Sequence, residues 1–397
     1  MTSRPPLEER GEESTMTTRM IGSAVTLAAC IAVGALMSVP VAGQATQTTQ
    51  AAPASPAPPP LVVTAFGGAP VTYKAPRTPW GDPDLQGVWA SDDMAGIPMS
   101  RPAQYGDRLF LNEQELAARK KQIDSGVARS ENEADSTFRF DFARRAFPQT
   151  SQVVDPPNGQ MPATLPGRRQ MPRGTFGPGP LDWVTDFSGY ERCITRGIFG
   201  SALNVIYGNG NRIVQSPGAV AFSYEMLSDT RIFYTDGRPR ISSNIKMYLG
   251  DSRARWEGED LVVETTNLTD RTAFGVNGNG PLHSEKMKVT ERFRRVAADI
   301  LQYQITVDDP ETYVRPFTVS MPLTPLEGGK LLPYDCHPGN YAILQSLGAE
   351  RVEDKRLADD LERGIIRPRI GVQEGAGVGA APAGGGGGRG RGAGPAF

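Results

Sequence analysis

The chain holds only two histidines, His283 in GVNGNGPLHSE and His337 in YDCHPGNY. Both fall in Gly/Asn/Pro loops beside apolar β-type runs, where a rigid scaffold commonly displays binding and catalytic groups. Imidazole is the side chain best suited to moving a proton near neutral pH. With Glu285 and Asp335 close by, either histidine could serve as a general base oriented by a carboxylate. A metal site built from both imidazoles would need ligand spacing that is absent, so no metal and no cofactor is expected. Ser284 follows His283 directly, but no GxSxG elbow surrounds it. GDSRARWEGED is the densest polar cluster: Asp251, Arg253 and Arg255 share one side by strand alternation, next to Trp256. Arginines beside an aromatic ring can hold a carboxylate, a phosphate or a sugar, or can simply form ion pairs on a solvated hairpin. Gly208-Asn209-Gly210-Asn211 and Asn277-Gly278-Asn279-Gly280 are turn formers, and neither continues into the Gly-Lys-Ser/Thr of a phosphate loop.

The compartment in which such groups would work is indicated by residues 20–43, an uncharged and mostly apolar run after Arg19 that ends at the small residues Gly43-Gln44-Ala45. This pattern is that of an export signal, and it is read as a cleaved one. An uncleaved anchor, or a lipoprotein signal at Leu27-Ala28-Ala29-Cys30, are the alternatives. Any of the three places the folded part in the periplasm or outside the cell, with membrane contact only through this segment if it is retained. Glu8, Glu9, Glu12 and Glu13 suit a signal n-region badly, which points to Met16 as the true start. Without residues 1–45 the formal charge of −2 becomes about −1. That balance, lacking a basic face, excludes a nucleic-acid partner. Cys193 and Cys336 then remain as an even pair in an oxidising compartment, and one disulfide is expected.

From residue 203 the pattern is β: AVAFSYEM, TRIFYT, DLVVETTN, KMKVTERFRRV, DILQYQITVDD and TYVRPFTVSM are short β-branched or aromatic runs parted by turn signals. Alternation places Met287, Val289, Glu291 and Phe293 on one face, Leu301, Tyr303, Ile305 and Val307 on the next, and Tyr313, Arg315, Phe317, Val319 and Met321 on the third. Glu291 and Arg315 interrupt an apolar interior. A buried charge is costly unless paired, so the two either meet each other or reach a polar cavity. Asn112 followed by Glu115 forms a capping box that opens a helix of two to four turns. Residues 126–182 read as a long irregular excursion, with VVDPPNGQMPATLP as an extended surface strap.

Gly87 two residues before Trp89 is similar to the first strand of lipocalin-like barrels, in which the indole closes one end. The expected fold is therefore mainly β, an antiparallel lipocalin- or calycin-like barrel or else a β-sandwich, with an N-terminal helix and long straps. The organisation reads as 1–45 extension and signal, 46–75 Pro/Ala-rich linker, 76–348 one β-rich domain, 349–370 short helix and extension, and 371–397 a disordered Gly-rich tail.

PWGDPDLQGVW, VVDPPNGQMP, YERCITRG, GDSRARWEGEDLVVETTN, GVNGNGPLHSE, VTERF, TVDDP and YDCHPGNY together resemble a set of secreted bacterial proteins of unassigned function, often encountered in acidobacteria, over about residues 76–348. The resemblance brings no reaction or cofactor with it. From the residues alone, the leading expectation is binding of a small molecule or short glycan in a barrel mouth by His283, Glu291, Arg253, Arg315, His337 and Asn340. A hydrolase using His283 or His337 with Glu285 or Glu291, and a structural or envelope-interaction protein, are the alternatives.

Overall fold

A computed structural model describes residues 71–94, 96–132, 143–172, 181–205, 207–275 and 278–367, all within the unit Ala57–Phe397. The apolar run at 20–43, the linker before residue 71 and the tail from 371 lie outside the described residues.

The described residues form ten strands: β1 (Gly87–Ala90), β2 (Val153–Asp155), β3 (Gly210–Ser216), β4 (Ala219–Tyr224), β5 (Thr230–Tyr234), β6 (Asp251–Glu257), β7 (Asp260–Thr266), β8 (Lys288–Ala297), β9 (Ile300–Asp308) and β10 (Phe317–Pro325). Nine of them close into a barrel in the order β1-β3-β4-β5-β6-β7-β8-β9-β10, with β1 pairing back onto β10 through Trp89↔Pro325 and Ala90↔Thr324. The tenth, β2, lies along β10 at Thr318 and Val319. An odd number of strands cannot alternate direction all the way round a closed ring. One neighbouring pair must run parallel, and it is β5–β6, at Tyr234↔Arg253. Parallel neighbours need a crossover of about a dozen residues or more, and residues 235–250 supply it. Arg240 ties that crossover to the barrel by donating to the carbonyls of Asp251 (2.7 Å) and Glu264 (3.1 Å). The mainly β, barrel-like fold expected from the sequence forms, antiparallel except at this junction.

The interior is filled with side chains. Phe222, Phe233, Phe293 and Tyr303 make one aromatic cluster, with Phe293 and Tyr303 stacked at 4.4 Å between centroids, a contact worth about 0.5–1.5 kcal/mol beyond area burial. At the end where β10 begins, the buried helix α2 (Gly197–Ala202) brings Phe199 against Phe274, which meets Phe317 at 4.9 Å. The loop holding Phe274 crosses α2 so closely that a Cβ on Gly278, at φ +70°, would lie 2.6 Å from the Arg196 carbonyl. Near the start of β1, Trp89 is buried, its indole N–H donates to the Leu85 carbonyl (3.0 Å), and the Arg295 guanidinium lies 5.5 Å from the ring.

Helix α1 (Glu113–Asn132) opens on the expected capping box: Asn112 Oδ1 accepts from Glu115 N–H, and Glu115 Oε2 accepts from Asn112 N–H, each at 2.9 Å. Arg108 holds the same carboxylate through two 2.8 Å bonds, and together with the Asn112 amide lowers its pKa to about 2. The helix runs longer than the two to four turns read from the sequence. A third helix, α3 (Ala342–Glu362), begins before residue 349, where a short helix was expected to start. The segment after Asp155 follows the barrel wall as a strap, bridging Thr164 to Tyr313 and Gln170 to Pro281.

Candidate functional site

The six residues singled out from the sequence do not converge. Glu291, on β8, is completely buried and meets Arg231 of β5, not Arg315: Nη1 to Oε1 is 2.8 Å and Nη2 to Oε2 2.5 Å. Tyr303 donates to the same carboxylate at 2.5 Å, and Arg231 also donates to Thr265 Oγ1 (2.9 Å) and the Tyr224 hydroxyl (3.2 Å). Burial alone would lower the Arg231 pKa, but the facing Glu291 charge raises it well above its ordinary value, so the guanidinium stays charged. Burial pushes the Tyr224 phenol up to about 12.

Arg315 was expected on the interior face. It lies ahead of β10, which starts only at Phe317, so the strand's alternation does not reach back to it. Its side chain is half exposed and faces Asp155 at 3.7 Å. Arg253, on the outer wall, donates to Asp251 Oδ1 (2.5 Å) and to the Pro239 carbonyl (2.6 Å), fastening the crossover. Around it, Arg255 with Glu257 and Glu264, and Arg292 with Glu257, form a surface ion-pair lattice.

His283 is buried. Its Nε2 accepts from the Thr272 hydroxyl (2.5 Å) and its Nδ1–H donates to the Ser284 carbonyl (3.2 Å), the arrangement of a neutral ring. Ser284 does not address the imidazole: its hydroxyl donates to Asp309 Oδ1 at 2.6 Å. Glu285 faces Lys246 at 3.7 Å. No serine–histidine pair therefore exists at this loop, and His283 braces it. Burial holds the imidazole below its ordinary pKa. The unfolded chain takes up this proton near pH 6.5, the folded chain only at lower pH. Stability from this group is thus complete above about pH 6.5 and falls as the pH drops below it, by at most about 1.4 kcal/mol per pH unit. Thermal unfolding of His283→Asn should show a flatter decline of Tm between pH 6.5 and 5 than the parent; an equal decline would place the proton uptake elsewhere.

His337 and Asn340 share one exposed turn, in which Asn340 N–H donates to the His337 carbonyl (3.1 Å). This turn borders a hollow of ligand size formed by loops from distant parts of the chain. Cys193 and Cys336 form the expected disulfide. Either side of it, residues 187–191 and 333–343 wall a cavity of about 470 Å³, which Phe187, Tyr190, Glu191, Tyr334, Asp335 and Asn340 help to line. A second hollow of about 190 Å³ adjoins it, sharing Pro333 and Tyr334 and bounded by Tyr207, Glu225 and Met226. No strand residue lines either space. The larger one falls in the size range of small-molecule sites.

Tyrosines organise this corner. The Tyr190 and Tyr334 hydroxyls are 3.2 Å apart, and Tyr207 hydrogen-bonds to Tyr190 in turn. The bond to Tyr190, and then burial, push the Tyr207 phenol up to about 12, and burial raises Tyr190. These phenols remain protonated at neutral pH and act as hydrogen-bonding groups, not as bases. Behind Tyr190 lies the fully buried Arg196, its guanidinium 5.3 Å from the ring centroid, with Asp229 as an opposing charge. The floor is pinned by the buried Glu225 carboxylate, which accepts from Leu332 N–H and Gly210 N–H, both at 3.1 Å. The far wall is held by Asn340 Nδ2, which donates to the Glu191 carbonyl at 3.1 Å.

Among the described residues no group of three or more His, Cys, Asp or Glu is placed to hold a metal ion, and no helix is long and apolar enough to cross a membrane. Comparison of the chain with protein-family models, with curated proteins and with solved structures found no match.

Proposed function

We propose that the protein is an exported binding protein whose small-molecule or short-glycan ligand lodges beside the Cys193–Cys336 bridge, outside the barrel. The observation that carries this reading is the cavity of about 470 Å³ whose two walls, 143 residues apart in sequence, are cross-linked at its edge and lined by aromatic faces and polar groups. The barrel mouth favoured from the sequence is the weaker location, because α2 with Phe274 packs at one end and Trp89 is buried near the other. An oxidising compartment accords with the disulfide and with the apolar run at 20–43. The test is calorimetric titration of the chain from residue 46 onward with a panel of oligosaccharides, aromatic acids and amines. A ligand found in this way should bind at least about tenfold more weakly to Tyr334→Ala and Asn340→Ala, a loss of about 1.4 kcal/mol or more. A ligand that binds both variants as well as the parent would remove this cavity as the site.

A further inference from the structure

Helix α3 carries one face that stands exposed along most of its length. Of its 21 residues only Asp360 is buried, whereas helices in water draw most of their stability from packing an apolar face. Ile343, Leu347, Glu350, Glu353 and Leu357 are half-buried and share one side. On the opposite side stand Tyr341 at the N-cap, Leu344 and Val352, which are 64%, 71% and 71% exposed, and Lys355, whose side chain is 75% exposed. Gly348 lies in the middle of this stripe. A Cβ built on it would meet nothing within 4 Å, so packing within the single chain does not call for a glycine there, although glycine is, after proline, the least favourable residue of a helix interior.

The spacing of the stripe is palindromic: steps of 3, 4, 4 and 3 residues run from Tyr341 through Leu344, Gly348 and Val352 to Lys355. With 3.6 residues per turn, all five directions fall within about 40° of that of Gly348. We infer that a second copy of this chain covers the stripe, its α3 crossing antiparallel about a two-fold axis at Gly348. A two-fold contact sets one patch against itself. Here it places Leu344 of each copy on Val352 of the other, and the Tyr341 ring beside the Lys355 ammonium of the other, a cation–π pairing. The two glycines, having no Cβ, let the backbones approach closely where the helices cross. A parallel pairing would instead bring Lys355 onto Lys355, and like charges set against each other in a contact are costly.

Five positions a side make a contact below the usual interface of roughly 800 Å² per partner, so the dimer is reversible and its population rises with concentration. Sedimentation velocity of the purified protein should show monomer converting to dimer as the concentration is raised to about 0.5 mM. Leu344→Glu and Val352→Glu should each weaken the dimer by about tenfold or more, because each position enters a two-fold contact twice. Ile232→Glu, at an exposed aliphatic residue of the barrel wall, should leave it unchanged. All three side chains face solvent in the single copy, so the variants should keep the parental circular dichroism. Mild oxidation reads the orientation: a mixture of the Leu344→Cys and Val352→Cys proteins should cross-link, and Leu344→Cys alone should not. A protein that stays monomeric throughout, a dimer that both α3 glutamate variants leave intact, or one lost on Ile232→Glu would overturn the pairing through α3. Cross-linking of Leu344→Cys with itself would overturn the antiparallel arrangement.

Discussion

Glu291→Ala should destabilise the protein by about 3–5 kcal/mol, the cost of stranding one member of a buried ion pair. Arg231 cannot shed its charge, and it lies in the barrel interior with no exposed surface through which water could replace the carboxylate. The substitution also strips Tyr303 of the acceptor for its hydroxyl, and a buried donor left without a partner adds its own penalty. Removing both charges gives a different outcome. Arg231→Met combined with Glu291→Leu is expected to cost less than Glu291→Ala alone, because no charge is stranded and the unpartnered Tyr303 hydroxyl is the penalty that remains. Urea unfolding of the two single variants and the double variant decides the matter: a single Glu291→Ala loss below about 1 kcal/mol would mean that water reaches Arg231, and the interior would then be a wet cavity. The barrel would in that case regain its claim as a ligand site.

Glu291 is legible in the sequence because it sits in mid-strand, where alternation is strict and every neighbour in register, Met287, Val289 and Phe293, is apolar and buried. Its partner is not, since the short TRIFYT run gives little sign that Arg231 and Phe233 share the inward face. Arg315 misleads for a related reason: alternation drawn back from β10 crosses a turn that precedes the strand. The parallel junction is invisible because it follows from the total number of strands, a property of the closed ring and of no single segment. β3 is obscured by the turn-forming Gly208–Asn211 at its start, although Gly210 and Asn211 belong to the strand.

The tyrosine-lined cavity has no periodic signature at all. Tyr190, Tyr207 and Tyr334 lie on loops, and only the chain crossing brings them together. One signal is nevertheless present. A bridge between Cys193 and Cys336 forces the residues within a few positions of each cysteine into proximity, which couples YERC to YDCHPGN. Tyr190, Glu191, Tyr334, Asp335 and Asn340 can be assembled from that constraint alone. His337 and Asn340, singled out by their loop composition, fall at this corner for the same reason.

Cys193→Ser or Cys336→Ser should accordingly act twice, on stability and on binding, and the two effects should separate. The cysteines are 143 residues apart, and releasing a loop of that length returns about 5 kcal/mol of chain entropy to the unfolded state in the loop-closure account. Part of that loss is offset locally: Cys193 has φ +55°, in the left-handed region that costs a non-glycine residue of order 1–3 kcal/mol, and a serine there is free to relax. Neither cysteine belongs to a strand, so the barrel register is untouched and the far-ultraviolet circular dichroism of the variant should match the parent at low temperature. The cavity is different. Without the bridge its walls are joined by the Tyr190–Tyr334 contact, the grip of Glu225 on Leu332 and the exposed Asn340 bond to the Glu191 carbonyl, the last open to competition from water. Affinity for the ligand should fall by more than tenfold under conditions where the barrel is still native, and reduction of the parent should reproduce the loss. A serine variant that binds at parental strength would show that the polar contacts alone hold the walls, and would confine the disulfide to a purely thermodynamic role.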